Sequence, residues 1–219
     1  MFPNYLKQYS VKHYLKYDYY KKIKKYVKDV SVLDIGCVDE NIAFANKIRL
    51  WNHWFIYKMA KKVIGIDIEK TSLDKMKSMG FNVLTMSAEK INFTNKFNTV
   101  FAGELIEHLA NPGLFLQKAK RVLTPKGVIV LSTPNTYALN KLVRVFQFRT
   151  NNPPENPDHT MYFTPRNLET LCRKCGLKVI KIDYAHFPYT KDSFLSILNK
   201  IACRILGEIF KEQIIVVIR

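Results

Sequence analysis

Two short apolar runs end in acids placed to meet a ligand. The first reads Val32-Leu-Asp-Ile-Gly-Cys-Val-Asp-Glu40 and the second Val63-Ile-Gly-Ile-Asp67. A glycine straight after a buried strand lets the backbone approach a bound molecule, and ligands of open α/β sheets sit at the carboxyl ends of the strands. An acid closing the second strand, here Asp67, can accept hydrogen bonds from a ribose diol. These features suit a dinucleotide or an adenosine compound, and charge separates the two. A pyrophosphate wants bare N–H groups and the spacing G-x-G-x-x-G. This turn lacks that spacing and offers Asp34, Asp39 and Glu40, which repel phosphate and attract a cationic sulfonium with a free amino group. The acidic turn therefore favours S-adenosylmethionine over NAD as cofactor.

The elements that must position these acids are legible as alternating periods. Short β-branched runs at Ser31 to Ile35, Val63 to Ile66, Asn82 to Met86, Asn98 to Ala102 and Gly127 to Ser132 are separated mostly by helical patterns, which spells an α/β fold with strands buried on both faces. Pro112 opens a helix that ends before Pro125-Lys-Gly, and Thr164-Pro165 caps another that stops at Gly176. A helical stretch is expected from Thr136 to about Phe148, and an amphipathic helix from about Asp192 to Phe210. The last helix lies between strand candidates Lys178 to Tyr184 and Gln213 to Ile218. Ahead of the first strand, Tyr14, Tyr17, Tyr20, Ile23 and Val27 fall on one stripe of an N-terminal helix.

Composition narrows the classes further. With 219 residues, 47% hydrophobic and 24% charged, the chain is sized for one folded domain rather than a disordered or fibrous protein. No apolar run approaches the roughly 20 residues of a membrane span; Ile197 to Phe210 is broken by Asn199, Lys200, Arg204 and Glu208. The N-terminal residues lack a secretory signal pattern and the four cysteines suit a reducing compartment, so a cytoplasmic protein is expected. Cys172 and Cys175 are spaced C-x-x-C without a second ligand pair, and no metal site is assigned. The net charge of +17 admits nucleic acid or an anionic membrane surface as partner, and residues 1–30 mix eight Lys with seven Tyr. Lys outnumbers Arg 27 to 8, however, whereas bidentate recognition of phosphate and bases favours Arg, so nucleic acid is the lesser expectation.

Five segments in order resemble the motifs of class I S-adenosylmethionine-dependent methyltransferases. They are Val32-Leu-Asp-Ile-Gly-Cys, Val63-Ile-Gly-Ile-Asp67, Met86-Ser-Ala-Glu89, Phe101-Ala-Gly-Glu-Leu-Ile-Glu-His108 and Leu123 to Asn135. The likeness runs from about residue 30 to 183. Within that superfamily it is similar to the ubiquinone-biosynthesis O-methyltransferase-like group (methyltransferase type 11/23), in which a His-containing segment ending in Phe-Thr-Pro, like Pro157 to Pro165, follows the fifth strand. The resemblance implies a Rossmann-like, seven-stranded, mostly parallel sheet with helices on both faces and the last strand antiparallel. It implies a single domain over residues 1–219: a helical cap over 1–30, a cofactor-binding half over 31–135 and an acceptor-side half over 136–219. It also implies that Asp34 and Gly36 hold the methionine end and Asp67 the ribose. Ser87 and Ala88 would meet the adenine edge, Ile68 the adenine ring, and Gly103 and Glu104 the methyl-donor end. Each residue also has a purely structural reading: Asp34 capping a turn, Asp67 capping the next helix, Ser87 closing a local turn.

The implied acceptor is a small or lipid-linked molecule, with the Asn151 to Thr164 loop at its pocket. An oxygen acceptor wants a base, and His108 and His159 are the candidates; Glu107 is placed to orient His108. The sequence departs from the family pattern at Gly36-Cys-Val38-Asp-Glu40, where further glycines are usual. A β-branched Val in a left-handed conformation costs about 1–2 kcal/mol, so the loop is expected to take another path. Asp67 also lies 31 residues after Gly36, longer than the roughly 20 of nucleotide-binding sheets, with the surplus around Leu50 to Tyr57 forming either a lid or core. Two rival readings follow. One is RNA methylation, although Asn152-Pro-Pro-Glu comes after the fifth strand rather than the fourth. The other is a catalytically degenerate scaffold whose basic amphipathic helices contact partners or a membrane surface.

Overall fold

The computed structural model describes residues 10–38, 50–141, 156–186 and 194–219, with side chains left out for 194–198. Asp39, Glu40, most of the expected 136–148 helix and residues 151–155 of the proline-rich loop lie outside the described residues. Seven strands, β1 (Ser31–Ile35), β2 (Lys62–Asp67), β3 (Val83–Thr85), β4 (Phe97–Gly103), β5 (Leu123–Pro134), β6 (Val179–Ala185) and β7 (Gln213–Ile218), form one sheet in the order β3-β2-β1-β4-β5-β7-β6. All pairs from β3 to β5 are parallel, while β7 runs antiparallel to both β5 and β6. The expected α/β sheet with an antiparallel last strand is therefore present. The strand order reverses direction between β1 and β4, the position where such sheets open a crevice at their carboxyl ends.

Period-two alternation sorts the strand residues onto two cores. Val32, Val63, Phe101, Val130 and Val217 face one side; Leu33, Ile64, Val100, Ile129 and Val216 face the other. The first side is covered by α1 (Val11–Tyr14), α2 (Asp18–Val27), α3 (Asn52–Met59) and α4 (Lys70–Ser78), the second by α5 (Pro112–Arg121) and α6 (Pro165–Lys174). The sixth helix starts as its sequence predicts: Thr164 Oγ1 accepts from Asn167 N–H, Asn167 Oδ1 accepts from Thr164 N–H, and Pro165 fills the first turn. Cys172 is buried on it and Cys175 half-buried at its end.

Two expectations are corrected and one open alternative is resolved. The N-terminal stripe is not one helix, because Tyr17 is extended (φ −95°, ψ 135°) and re-phases the chain. Tyr19 is buried together with Tyr14, Tyr20, Ile23 and Val27, while Tyr17 is half-buried. Three of the seven tyrosines in the basic N-terminal segment are thus core residues. Leu50, Trp51, Trp54, Phe55 and Ile56 are also core, which settles the aromatic surplus as packing for α2 rather than a lid. The final helix, α7 (Phe194–Leu206), stops at Gly207 (φ 115°), and a separate 3-10 turn covers Glu208–Phe210.

Candidate functional site

Asp34 and Asp67 stand toward the carboxyl ends of the adjacent strands β1 and β2. Gly36 takes a left-handed φ of 70°, the conformation in which a side chain is strained, and a Cβ there would lie 3.1 Å from Leu105 Cδ1. Its N–H and that of Cys37 donate to the Ile66 carbonyl at 2.9 and 3.2 Å. Val38 is not left-handed, since Asp29 and Glu104 are the non-glycine residues with positive φ among those described. The loop does take another path: the Val38 N–H donates to Asp67 Oδ2 at 3.0 Å. Asp67 Oδ1 accepts from Ile68 and Glu69 N–H at 2.7 and 3.0 Å. Asp67 therefore bridges two strand ends instead of capping α4. That cap is Glu69, which accepts from Thr71 and Ser72. Both lone pairs of Oδ1 and one of Oδ2 are thus engaged, so Asp67 keeps one acceptor site, on Oδ2, for a hydroxyl of a diol.

Around this bridge Ile68 is 73% exposed, an apolar surface beside the acid that water leaves unsatisfied. Ser87 closes its local turn, accepting from Glu89 N–H at 3.3 Å, and the Ala88 side chain is buried in the second core. Asp34 is only 2% exposed, and its Oδ2 lies 2.7 Å from Nδ1 of His53, a residue absent from the sequence reading. Burial raises the Asp34 pKa, the His53 hydrogen bond and charge oppose that rise, and the Asp67 charge adds to it.

The next strand end gathers a second set. A Cβ on Gly103 would lie 2.8 Å from Asn52 Nδ2 and 2.9 Å from the Phe101 ring, so only a bare backbone fits. Glu104 follows at φ 53°, its N–H donating to the Ser132 carbonyl at 3.0 Å. Ser132 Oγ donates to Glu104 Oε1 at 3.1 Å and meets the Tyr19 hydroxyl at 3.0 Å, so Tyr19 donates into a short chain ending on the carboxylate. Glu107 is 1% exposed, accepts from Thr133 Oγ1 at 3.0 Å through Oε2, and has no partner at Oε1. Burial pushes the Glu104 pKa up to about 7 and that of Glu107 up to about 9, with the Glu104 charge as the next cause for Glu107. Tyr19 and Ser132 left little sequence signal: Tyr19 lies off the helical stripe, and Ser132 is a polar residue closing an apolar run.

The two histidines meet although 51 residues separate them. His108 lies in a 3-10 turn, Ile106–His108, and His159 on the loop before α6; their ring centroids are 4.7 Å apart at 86°. Backbone bonds make the meeting. Thr160 and Met161 N–H donate to the Glu107 carbonyl at 2.9 and 3.2 Å, and Thr160 Oγ1 donates to the same oxygen at 2.9 Å. The Asp158 carbonyl accepts from His108 Nδ1 at 3.1 Å, which corrects the expectation that Glu107 orients this ring. Successive residues of a tight turn point about 120° apart, and Glu107 goes inward to Thr133 while His108 goes outward. Tyr162 stands edge-on to His159 at 5.8 Å, with Lys141 Nζ 4.6 Å from the Tyr162 ring centroid. Glu107, His108 and His159 also each offer a ligand atom within 4.8 Å of one another, a donor set that a divalent cation could use and that the sequence reading did not assign.

No described helix is long and apolar enough to cross a membrane. Residues 11–182 match the family model described as a methyltransferase domain. A ubiquinone biosynthesis O-methyltransferase of Bartonella tribocorum is 23% identical over 165 residues, covering 69% of this chain and 62% of the relative. One of the same description from Colwellia psychrerythraea is 23% identical over 180 residues, covering 73% and 65%. The chain thus spans less than two thirds of the length of either. Among solved structures, a SAM-dependent methyltransferase from Archaeoglobus fulgidus superposes with a TM-score of 0.59 at 19% identity, over 96% of this chain and 94% of that one. The chain belongs to the methyltransferase domain family and has the fold of the S-adenosylmethionine-dependent methyltransferases.

Proposed function

We propose that this chain transfers a methyl group from S-adenosylmethionine to a hydroxyl oxygen of a small or lipid-linked acceptor. The observation that carries this reading is the meeting of His108 and His159 beside the end of β4, one strand from Asp34 and two from Asp67. The relatives named for O-methylation support oxygen as the acceptor atom. Asp67 takes a ribose hydroxyl, Ile68 the adenine face, Ser87 and Ala88 the adenine edge, and Asp34 with Gly36 the methionine end. Gly103 lines the methyl-donor end with its backbone, and Glu104 brings its carboxylate toward the sulfonium.

When bound, S-adenosylmethionine supplies an electrophilic methyl group that an acceptor oxygen displaces in line from sulfur. His159 is the base that takes the hydroxyl proton from the acceptor. His108, fixed through Nδ1 on the Asp158 carbonyl, presents Nε2 to the same space and limits rotation of its neighbour. Tyr162 walls the acceptor side. A lipid-linked acceptor is favoured by an apolar ridge on and after α7. Ile201, Ile205, Leu206 and Ile209 are exposed there, Ile205 by 79%, with Lys200 and Arg204 between them.

Calorimetric titration with S-adenosylhomocysteine and S-adenosylmethionine, with NAD as control, tests the reading. Micromolar binding of both adenosyl compounds, none of NAD and a loss in Asp67→Ala are expected. No binding of either adenosyl compound would leave the degenerate scaffold as the better account.

A further inference from the structure

A buried histidine backs the carboxylate of the first strand. His53, on α3, comes from the segment that makes the interval between Gly36 and Asp67 longer than usual, and its side chain is fully buried. Its slot is cut into the sheet by Gly65: a Cβ there would come within 2.8 Å of His53 Cε1 and 2.7 Å of Cys37 Sγ. The imidazole lies 5.4 Å from the Trp51 ring and 5.3 Å from Phe81, centroid to centroid, and the Trp51 indole is itself held by the Cys37 carbonyl at 2.8 Å. On the inner side Nδ1 meets Asp34 Oδ2 at 2.7 Å; on the outer side Nε2 is buried without a partner among the described residues. A proton on Nε2 would be a donor with nothing to accept it, so the hydrogen-bond network assigns the proton to Nδ1, facing Asp34.

We propose that His53 is a positioning residue for the cofactor, whose Nδ1–H keeps Asp34 ionised and aimed so that its charge receives the amino group of the methionine end. The inference rests on the assignment of Asp34 to that end. A carboxylate in a low-dielectric interior acts strongly on a nearby ammonium, but only while it is ionised. Among the described residues, the other groups facing Asp34 do not help it ionise: Asp67 is negative, and burial raises the Cys37 thiol and the Tyr19 phenol so that both stay neutral. Removing the His53 donor therefore lets Asp34 hold its proton to higher pH, and the sign of the effect follows. A variant without the donor binds weakly at neutral pH and recovers as the pH rises.

The test is calorimetry on the full chain from pH 6 to 9 with two probes. S-adenosylhomocysteine carries the amino acid, whereas 5′-methylthioadenosine keeps the nucleoside and thioether without it. His53→Phe is expected to bind S-adenosylhomocysteine about ten- to a hundredfold more weakly than wild type at pH 7, recovering toward pH 9. His53→Asn, which keeps an N–H near the Nδ1 position, is expected to stay within about threefold. Methylthioadenosine affinity is expected to be unchanged in both, which also certifies that the slot has folded. If His53→Phe weakens both probes alike, or weakens S-adenosylhomocysteine with no pH dependence, His53 only packs the core and the inference is wrong. If phenylalanine disrupts the fold, the asparagine variant decides: a loss as large as that of His53→Ala overturns the inference, and retention supports it. Asp34→Asn separates the two levels. Unchanged S-adenosylhomocysteine affinity there overturns the Asp34 assignment itself, while weakened affinity beside an unaffected His53→Phe overturns only the role of His53.

Discussion

The proposed cofactor end and the proposed acceptor end of this site are built by different means. At the cofactor end Gly36, Asp67 and Gly103 sit on strands or one residue beyond, and the parallel register Asp34 to Gly65 and Asp34 to Phe101 fixes their relative positions. At the acceptor end His108 and His159 come from a 3-10 turn and a loop, joined by Thr160 and Met161 on the Glu107 carbonyl and by His108 Nδ1 on the Asp158 carbonyl. A site on strand ends inherits the rigidity of the sheet, whereas a clip of a few hydrogen bonds can open without disturbing the core. The contrast suits the labour expected of each end: the cofactor is common to the whole family, and the acceptor pocket is where members must differ.

The largest expected effect tests the acceptor end alone. His159→Ala should lower turnover by about 10²- to 10⁴-fold, the range for a positioned general base, in an assay with a hydroxylated aromatic acceptor. Comparable losses from His108→Ala would mean that the two rings act as one unit and sharpen the picture of the clip.

A second test addresses the buried acid between the two ends. The raised pKa of Glu107 means that the folded state binds a proton the unfolded chain has released above its ordinary value of 4.5. Stability from this group therefore falls as pH rises from that value toward about 9. Glu107→Gln, which is neutral at every pH, should be more stable than wild type at pH 8 by about 1–3 kcal/mol, with the gap closing toward pH 4.5. Denaturant midpoints at the two pH values read this directly, and a gap that is constant with pH would contradict the assigned protonation.

The smallest effect lies at the cofactor end. Gly36→Ala places a side chain at φ 70° against Leu105 and should cost about 1–2 kcal/mol of stability, seen as a lowered thermal midpoint. An unchanged midpoint would mean that this turn relaxes more easily than the sheet-end picture allows.

The same contrast explains what could be read from the residues alone. Strands and strand-end acids announce themselves by local pattern: apolar and β-branched runs placed the seven strands, and the glycine or aspartate that closes β1, β2 and β4 marked the strand ends, Asp67 among them. The acceptor clip has no such mark, because every bond in it ends on a backbone carbonyl and two of its donors, the Thr160 and Met161 N–H groups, are backbone as well, and backbone groups are the same in every residue. His53 was hidden for another reason. It stands in an aromatic cluster whose bulk reads as core, and its one polar contact reaches across 19 residues to Asp34. The break at Tyr17 likewise carries no glycine or proline, so helical spacing ran through it and misassigned Tyr17 and Tyr19.

The measurement that most directly tests a site with two separable ends is the affinity for S-adenosylhomocysteine of Asp67→Ala and His159→Ala beside wild type, by calorimetry under one set of conditions. Asp67→Ala should lose affinity by about ten- to a hundredfold, as expected for a hydrogen-bonding carboxylate, while His159→Ala stays within about twofold of wild type. Equal losses in the two variants, or a loss in His159→Ala alone, would contradict the division of the site.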